Sequence, residues 1–123
     1  MAAIGVGLLL VVDGVSGWPI RDWMISNFIL ACSRAIEMHI IAGPVVVRVH
    51  RGIHGFAVIA ESHITVEAKD DGRVYVDVCS CGLFSTEVPI DLAKDYFDLQ
   101  DCYQSQVVRR AGTAADAAPS RKD

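Results

Sequence analysis

Apolar and polar positions along the chain alternate between two periods, and the switches between them predict the elements. Ile4 to Val12 is apolar at nearly every position, which predicts a central strand buried on both faces. Asp13-Gly14 and Ser16-Gly17 then read as turn chemistry. Between Asp22 and Ile41 the apolar residues Ile25, Phe28, Ile29, Cys32, Ala35, Ile36, His39 and Ile40 recur every three or four positions. That spacing predicts a helix with Asp22 as its N-cap and Gly43-Pro44 as its stop. Val45 to Val49 is a β-branched run and predicts a strand, and Arg51 to Gly55 a glycine-flanked loop. Phe56 to Ala60 and Ile64 to Ala68 predict two strands separated by Glu61-Ser62-His63. Lys69-Asp70-Asp71-Gly72 predicts a hairpin turn, with Arg73 to Cys79 as the returning strand. Pro89 to Leu99 predicts a second helix and Cys102 to Val108 a last strand.

The order β-α-β-β-β-α-β predicts an α+β two-layer sandwich, a largely antiparallel sheet with both helices on one face. The domain covers residues 1–110. From Ala111 the composition turns to Ala, Thr, Ser, Pro and Lys, which predicts a disordered tail over 111–123. A chain of 123 residues that is 52% hydrophobic and 21% charged builds one core without staples. The opposite face of the sheet is left bare in so short a chain, and we expect a homodimer to cover it.

Charge excludes one class of partner. A formal net charge of −4 argues against nucleic-acid binding, which calls for a basic face. Ala2 to Val12 is shorter than the roughly 20 residues that span a bilayer, and no basic segment precedes it as in a signal peptide. The expectation is a cytoplasmic protein with no membrane partner and reduced thiols. Gly5-Val6-Gly7 lies inside a strand and lacks the rest of a phosphate-loop pattern. Cys79-Ser80-Cys81 has the wrong spacing for zinc, and Gly52 breaks any helix that would align His50 with His54. No metal site is expected, and Cys32 and Cys102 read as packed thiols.

One segment carries chemistry. An apolar strand, Gly55 to Ala60, runs into Glu61-Ser62-His63, and a hairpin later the chain reads Asp77-Val78-Cys79-Ser80-Cys81-Gly82. By residue type alone, Ser62 also fits a strand end, Glu61 a solvated edge and Cys81 a thiol before a turn. Together the segments resemble the bacterial and archaeal S-adenosylmethionine decarboxylase family, whose members are pyruvoyl-dependent. The resemblance is firm over residues 55–82 and looser from Gly5 to about Arg110.

The resemblance implies that the Glu61–Ser62 bond breaks by itself. Ser62 then becomes an N-terminal pyruvoyl group that forms a Schiff base with the substrate's amine. It makes Cys81, in Ser-Cys-Gly, the proton donor. It implies an N→O acyl shift by the serine hydroxyl, then β-elimination, then decarboxylation on an electron sink. It also implies a role in polyamine synthesis, with decarboxylated S-adenosylmethionine as the aminopropyl donor for spermidine.

The chain departs from the family at three places. Five residues after the serine the family has a processing histidine; this chain has Glu67, a carboxylate that can serve as a base, especially if burial raises its pKa. Eight residues before the serine the family has Ser or Thr; this chain has His54. His54, His63 and Glu67 are therefore the processing candidates. For Glu67 to act near Ser62 the chain must bend at the cleavage point, because residues five apart on a strand face opposite sides. The family's aromatic-Pro-Glu stretch is replaced by Ala68 to Gly72, in which Asp70 and Asp71 are tentative substrate contacts. S-adenosylmethionine is the first expectation for substrate. L-ornithine or L-arginine on the same scaffold is the alternative, and a catalytically dead, dimerising homologue is the rival from another class.

Overall fold

The computed structural model describes residues 6–60 and 62–110. The elements run β1 (Val6–Ser16), α1 (Asp22–Ala35), β2 (Ile40–Val49), β3 (Gly52–Ile59), β4 (Ser62–Lys69), β5 (Arg73–Ser80), α2 (Glu87–Phe97) and β6 (Leu99–Arg110). The strands form one sheet in the order β2-β3-β4-β5-β1-β6, and every neighbouring pair is antiparallel. Alternation puts Leu10, Val12, Ala57, Ile59, Ile64, Val66, Val74, Val76 and Val78 on one face, fully buried. Helix α1 lies over β2, β3 and β4, α2 lies over β1 and β6, and the helices touch each other. Phe28 of α1 joins the two helices, with its ring 5.9 Å from Tyr96 and 5.1 Å from Phe97 of α2. This is the α+β sandwich expected from the element order. The predicted tail, 111–123, lies outside the described residues.

Several boundaries differ from the sequence expectation. Asp13-Gly14 is not a turn: β1 continues to Ser16, and the dipeptide sits at a shift in the β1–β6 register between Asp13 and Val15. Helix α1 ends at Ala35, six residues early, because Glu37 takes a left-handed φ of 61° and the Met38 amide closes back on the Ser33 carbonyl at 2.9 Å. Ile36, Met38 and Ile40 still pack on the core after the helix has ended, so the apolar rhythm outlasts the helix, whereas His39 is exposed. The N-cap is Arg21, and Asp22 is the first helical residue, its carboxylate accepting from the Trp23 amide at 2.8 Å. Gly43-Pro44 lies within β2, an edge strand, where a missing amide is tolerated. The second helix begins at Glu87, two residues early, with Pro89 in its first turn.

The predicted loop Arg51 to Gly55 is mostly strand. Only His50 and Arg51 turn, with Arg51 at φ 65°, and β3 begins at Gly52. Glycine at 55 marks a close approach, since a Cβ there would strike Ile25 Cγ2 of α1. Gly55→Val is expected to force α1 off the sheet and to cost about 1–3 kcal/mol, read as a lowered urea midpoint at unchanged slope.

Candidate active site

Ser62 opens β4 and pairs with Ile59 of β3. It shares the side of Ile64, Val66 and Ala68, so it points toward the helical layer. Its Oγ is buried and has no hydrogen-bond partner among the described residues. An unpartnered buried hydroxyl costs about 1–3 kcal/mol, so a nucleophilic oxygen is held here against the interest of stability. Glu61 lies outside the described residues. His63, the next residue, is exposed on the opposite face and stands directly across from Cys79 of β5.

That register brings the end of β5 beside Ser62. Beyond Ser80 the exposed Cys81 begins a turn fixed by its neighbours: the Gly82 amide donates to Ser80 Oγ at 3.1 Å, and the Ser80 hydroxyl donates to Met38 Sδ at 3.7 Å. Serine before the cysteine is thus the anchor of the Cys81 turn. Cys79 is buried, and Arg109 of β6 donates to its Sγ from Nη1 at 3.3 Å. Arg109 carried no weight in the sequence because nothing local links it to residues thirty positions earlier. Burial pushes the Cys32 thiol up to about 12 and also raises the Cys102 thiol, as suits packed side chains. Among the described residues, no three His, Cys, Asp or Glu side chains gather as a metal ion would need.

The other processing candidates sit elsewhere. His54 and Glu67 stand opposite each other on β3 and β4, on the bare face of the sheet. They are five residue pairs from Ser62, roughly 16 Å along the strand. No bend shortens that distance, because β4 pairs without interruption from Ser62 to Ala68. Within one chain, Glu67 and His54 do not reach Ser62. Nor is the Glu67 pKa raised by burial. Lys69 Nζ lies 2.9 Å from its carboxylate and, with His54 adding a smaller effect, holds the pKa below the usual value. Asp70 and Asp71 lie at the far end of β4, in the hairpin. Each is engaged by an arginine at 2.9 Å, Asp70 by Arg48 and Asp71 by Arg73. Neither meets Ser62 of its own chain.

The bare face mixes polar and apolar side chains. Val45, Val47, Phe56, Val58 and Val107 lie on it, each more than 40% exposed. Asp13 and Asp77 lie there too, and burial, then the Asp77 charge, raises the Asp13 pKa. Sequence reading took Asp13 for a turn residue and so missed its place on this face.

The family model described as S-adenosylmethionine decarboxylase matches residues 21–110. The chain belongs to the S-adenosylmethionine decarboxylase family. Among solved structures, the crystal structure of the adenosylmethionine decarboxylase from Aquifex aeolicus superposes with a TM-score of 0.69. At 16% identity it covers 89% of this chain and 95% of its own, which establishes a shared fold. Comparison with curated proteins gave no match. No helix among the described residues is long and apolar enough to cross a membrane.

Proposed function

We propose that this family member is a pyruvoyl-dependent decarboxylase that cleaves itself between Glu61 and Ser62 and acts on S-adenosylmethionine, supplying the aminopropyl donor for spermidine. The observation that carries the reading is the buried Ser62 Oγ without a partner among the described residues, in Glu-Ser-His at the start of a strand. An unengaged hydroxyl is what the acyl shift requires and what the fold alone would avoid. The residues therefore fit the group they would generate. When formed, the pyruvoyl ketone supplies an electron sink for the pair released as carbon dioxide departs.

The chain's own steps balance as follows. Ser62 Oγ bonds to the Glu61 carbonyl carbon, the peptide C–N bond breaks, and the hydroxyl proton moves to the freed amine. A base takes the Ser62 Cα proton and the Glu61 carboxylate departs. Water then hydrolyses the remaining enamine to a ketone and ammonia. Cys81, held at the same end of the sheet by the Ser80 turn, returns a proton to the substrate carbon.

The base comes from a second copy in this proposal. Glu67 and His54 face away from Ser62 and lie too far along the strand to act on it in the same chain. A two-fold axis parallel to the sheet and just outside its bare face, running across the strands, stacks two bare faces with their ends exchanged. The Glu67–His54 row of one copy then lies over the Cys81 end of the other, at the roughly 10 Å spacing of stacked sheets. On that side the main chain of residue 62, with its Cα proton, is exposed to the row, while the Ser62 side chain points to the helices. The same contact covers Phe56, Val58, Val45 and Val107, so homodimer and site form together.

Substrate is tested by carbon dioxide release from S-adenosylmethionine, L-ornithine and L-arginine, each offered separately to the cleaved protein. Release from S-adenosylmethionine is expected. Release from ornithine or arginine alone would overturn the substrate and leave the cleavage chemistry intact. Cys81→Ala is expected to cleave normally but to turn over 10²–10⁴-fold more slowly, the usual loss with a general acid. If Cys79→Ala shows that loss and Cys81→Ala does not, the proton donor is misassigned.

A further inference from the structure

Arg109 stands on β6 directly across from Gly7 of β1. On the other side of Gly7 lies the end of β5: a Cβ at position 7 would come within 2.6 Å of the Ser80 carbonyl oxygen and 3.5 Å of the Cys81 Cα. Glycine keeps this spot clear, and the Arg109 side chain reaches past it to Cys79 Sγ at 3.3 Å. That reach spans two strand spacings, roughly 10 Å, from the sheet edge to the strand carrying the Ser-Cys-Gly turn. A guanidinium has five N–H donors, and a thiol sulfur is a weak acceptor for one of them. Among the described residues, none of the ion pairs includes Arg109. A cation with most of its donor fork unspent is thus held at the end of the sheet that carries Ser62 and Cys81.

We propose that Arg109 recognises the α-carboxylate of the amino-acid substrate. The inference rests on the decarboxylase reading above. S-adenosylmethionine, ornithine and arginine each carry one carboxylate, on the carbon that bears the α-amine. The Ser62 side chain points to the helical layer while Arg109 and Cys79 lie on the bare face, so an amine engaged at residue 62 from the bare face places its carboxylate, two bonds away, beside the Cys79 end of β5. Planar, forked N–H donors match a carboxylate's two oxygens. The contact belongs to the ground state, because the carboxylate gives up its charge as carbon dioxide forms. It therefore selects amino acid over amine and lets the amine product leave. Its loss raises KM rather than lowering kcat.

The test uses equilibrium binding to the full chain carrying Ser62→Ala, which forms no bond to the ligand's amine and cannot turn it over, so that the carboxylate contact is read by itself. The probes are three acid–amine pairs: S-adenosylmethionine and its decarboxylated amine, arginine and agmatine, ornithine and putrescine. At least one acid is expected to bind tenfold or more tightly than its amine. Adding Arg109→Gln is expected to erase that preference without changing amine affinity, and Arg109→Lys to restore part of it. In the unaltered, cleaved protein Arg109→Gln is expected to raise KM at least tenfold with kcat within threefold. The inference is overturned if no pair is discriminated or bound, if the preference survives Arg109→Gln, or if acid and amine weaken together, which would mark a structural brace on Cys79. Failure of the decarboxylase reading shows separately, as an uncut chain that releases no carbon dioxide with Arg109 in place.

Discussion

Intact-mass analysis of the purified chain is expected to show two fragments, residues 1–61 and 62–123, the second blocked to Edman degradation. Ser62→Ala is expected to give one uncut chain of 123 residues. The effect is all or none because the hydroxyl that attacks the Glu61 carbonyl is the group removed. The same substitution makes a second, opposite prediction about stability. Ser62 Oγ is buried without a partner among the described residues, so its removal takes away an unsatisfied polar atom and leaves the β4 backbone pairing as it was. Ser62→Ala is expected to equal or exceed the parent sequence in stability, by up to about 1–3 kcal/mol. The reference is an uncut precursor trapped by another route, such as Glu67→Gln, compared in urea unfolding. A parent chain that stays whole after long incubation would sink the self-cleavage reading and favour the dead homologue. A large loss of stability in Ser62→Ala would mean that the hydroxyl serves the fold.

The second large effect is complementation between copies. Ser62→Ala has no nucleophile, and a His54→Ala/Glu67→Gln chain has no processing pair, so each alone is expected to remain uncut. Mixed after unfolding and joint refolding, they are expected to yield fragments from the His54→Ala/Glu67→Gln chain only. The Cα proton of its residue 62 meets the intact His54 and Glu67 of the other copy across the stacked bare faces. Cleavage of the double variant by itself would show that the pair is dispensable; no cleavage in the mixture would show that it acts within one chain or not at all. The pH dependence follows from the Lys69 contact. Lys69 holds the Glu67 pKa below its usual value, so the carboxylate stays ionised through the ordinary carboxylate range as pH falls. A processing step that uses Glu67 as base is expected to keep its Glu67-dependent part through that range and to lose it only below. Lys69→Met raises the Glu67 pKa and is expected to move that loss upward in pH.

The likeness between sequence and structure is closest where the information is local. Alternation in β4 and β5, the Asp-Gly hairpin and the three-and-four spacing of α1 each follow from how side chains leave a strand or a helix; the two strands and their hairpin stand where they were expected, and α1 begins where it was expected. The Glu-Ser-His tripeptide and the Ser-Cys-Gly turn were also legible, because their chemistry rests on adjacent residues. The sequence by itself therefore determined the element order and the two-layer class, and its resemblance to the family marked the residues at the proposed cleavage point. Tertiary structure decided what lies between residues far apart in the chain. It ended α1 at Ala35, since packing of Ile36, Met38 and Ile40 on the core continues an apolar rhythm that no longer signals a helix. It carried β1 through Asp13-Gly14, because pairing with two neighbouring strands outweighs a dipeptide's preference for a turn. It set Glu67 opposite His54 and Arg109 beside Cys79, pairings fixed by strand register, which no single segment encodes. And it kept Glu67 away from Ser62, because a strand paired on both sides cannot bend to bring its sixth residue back to its first.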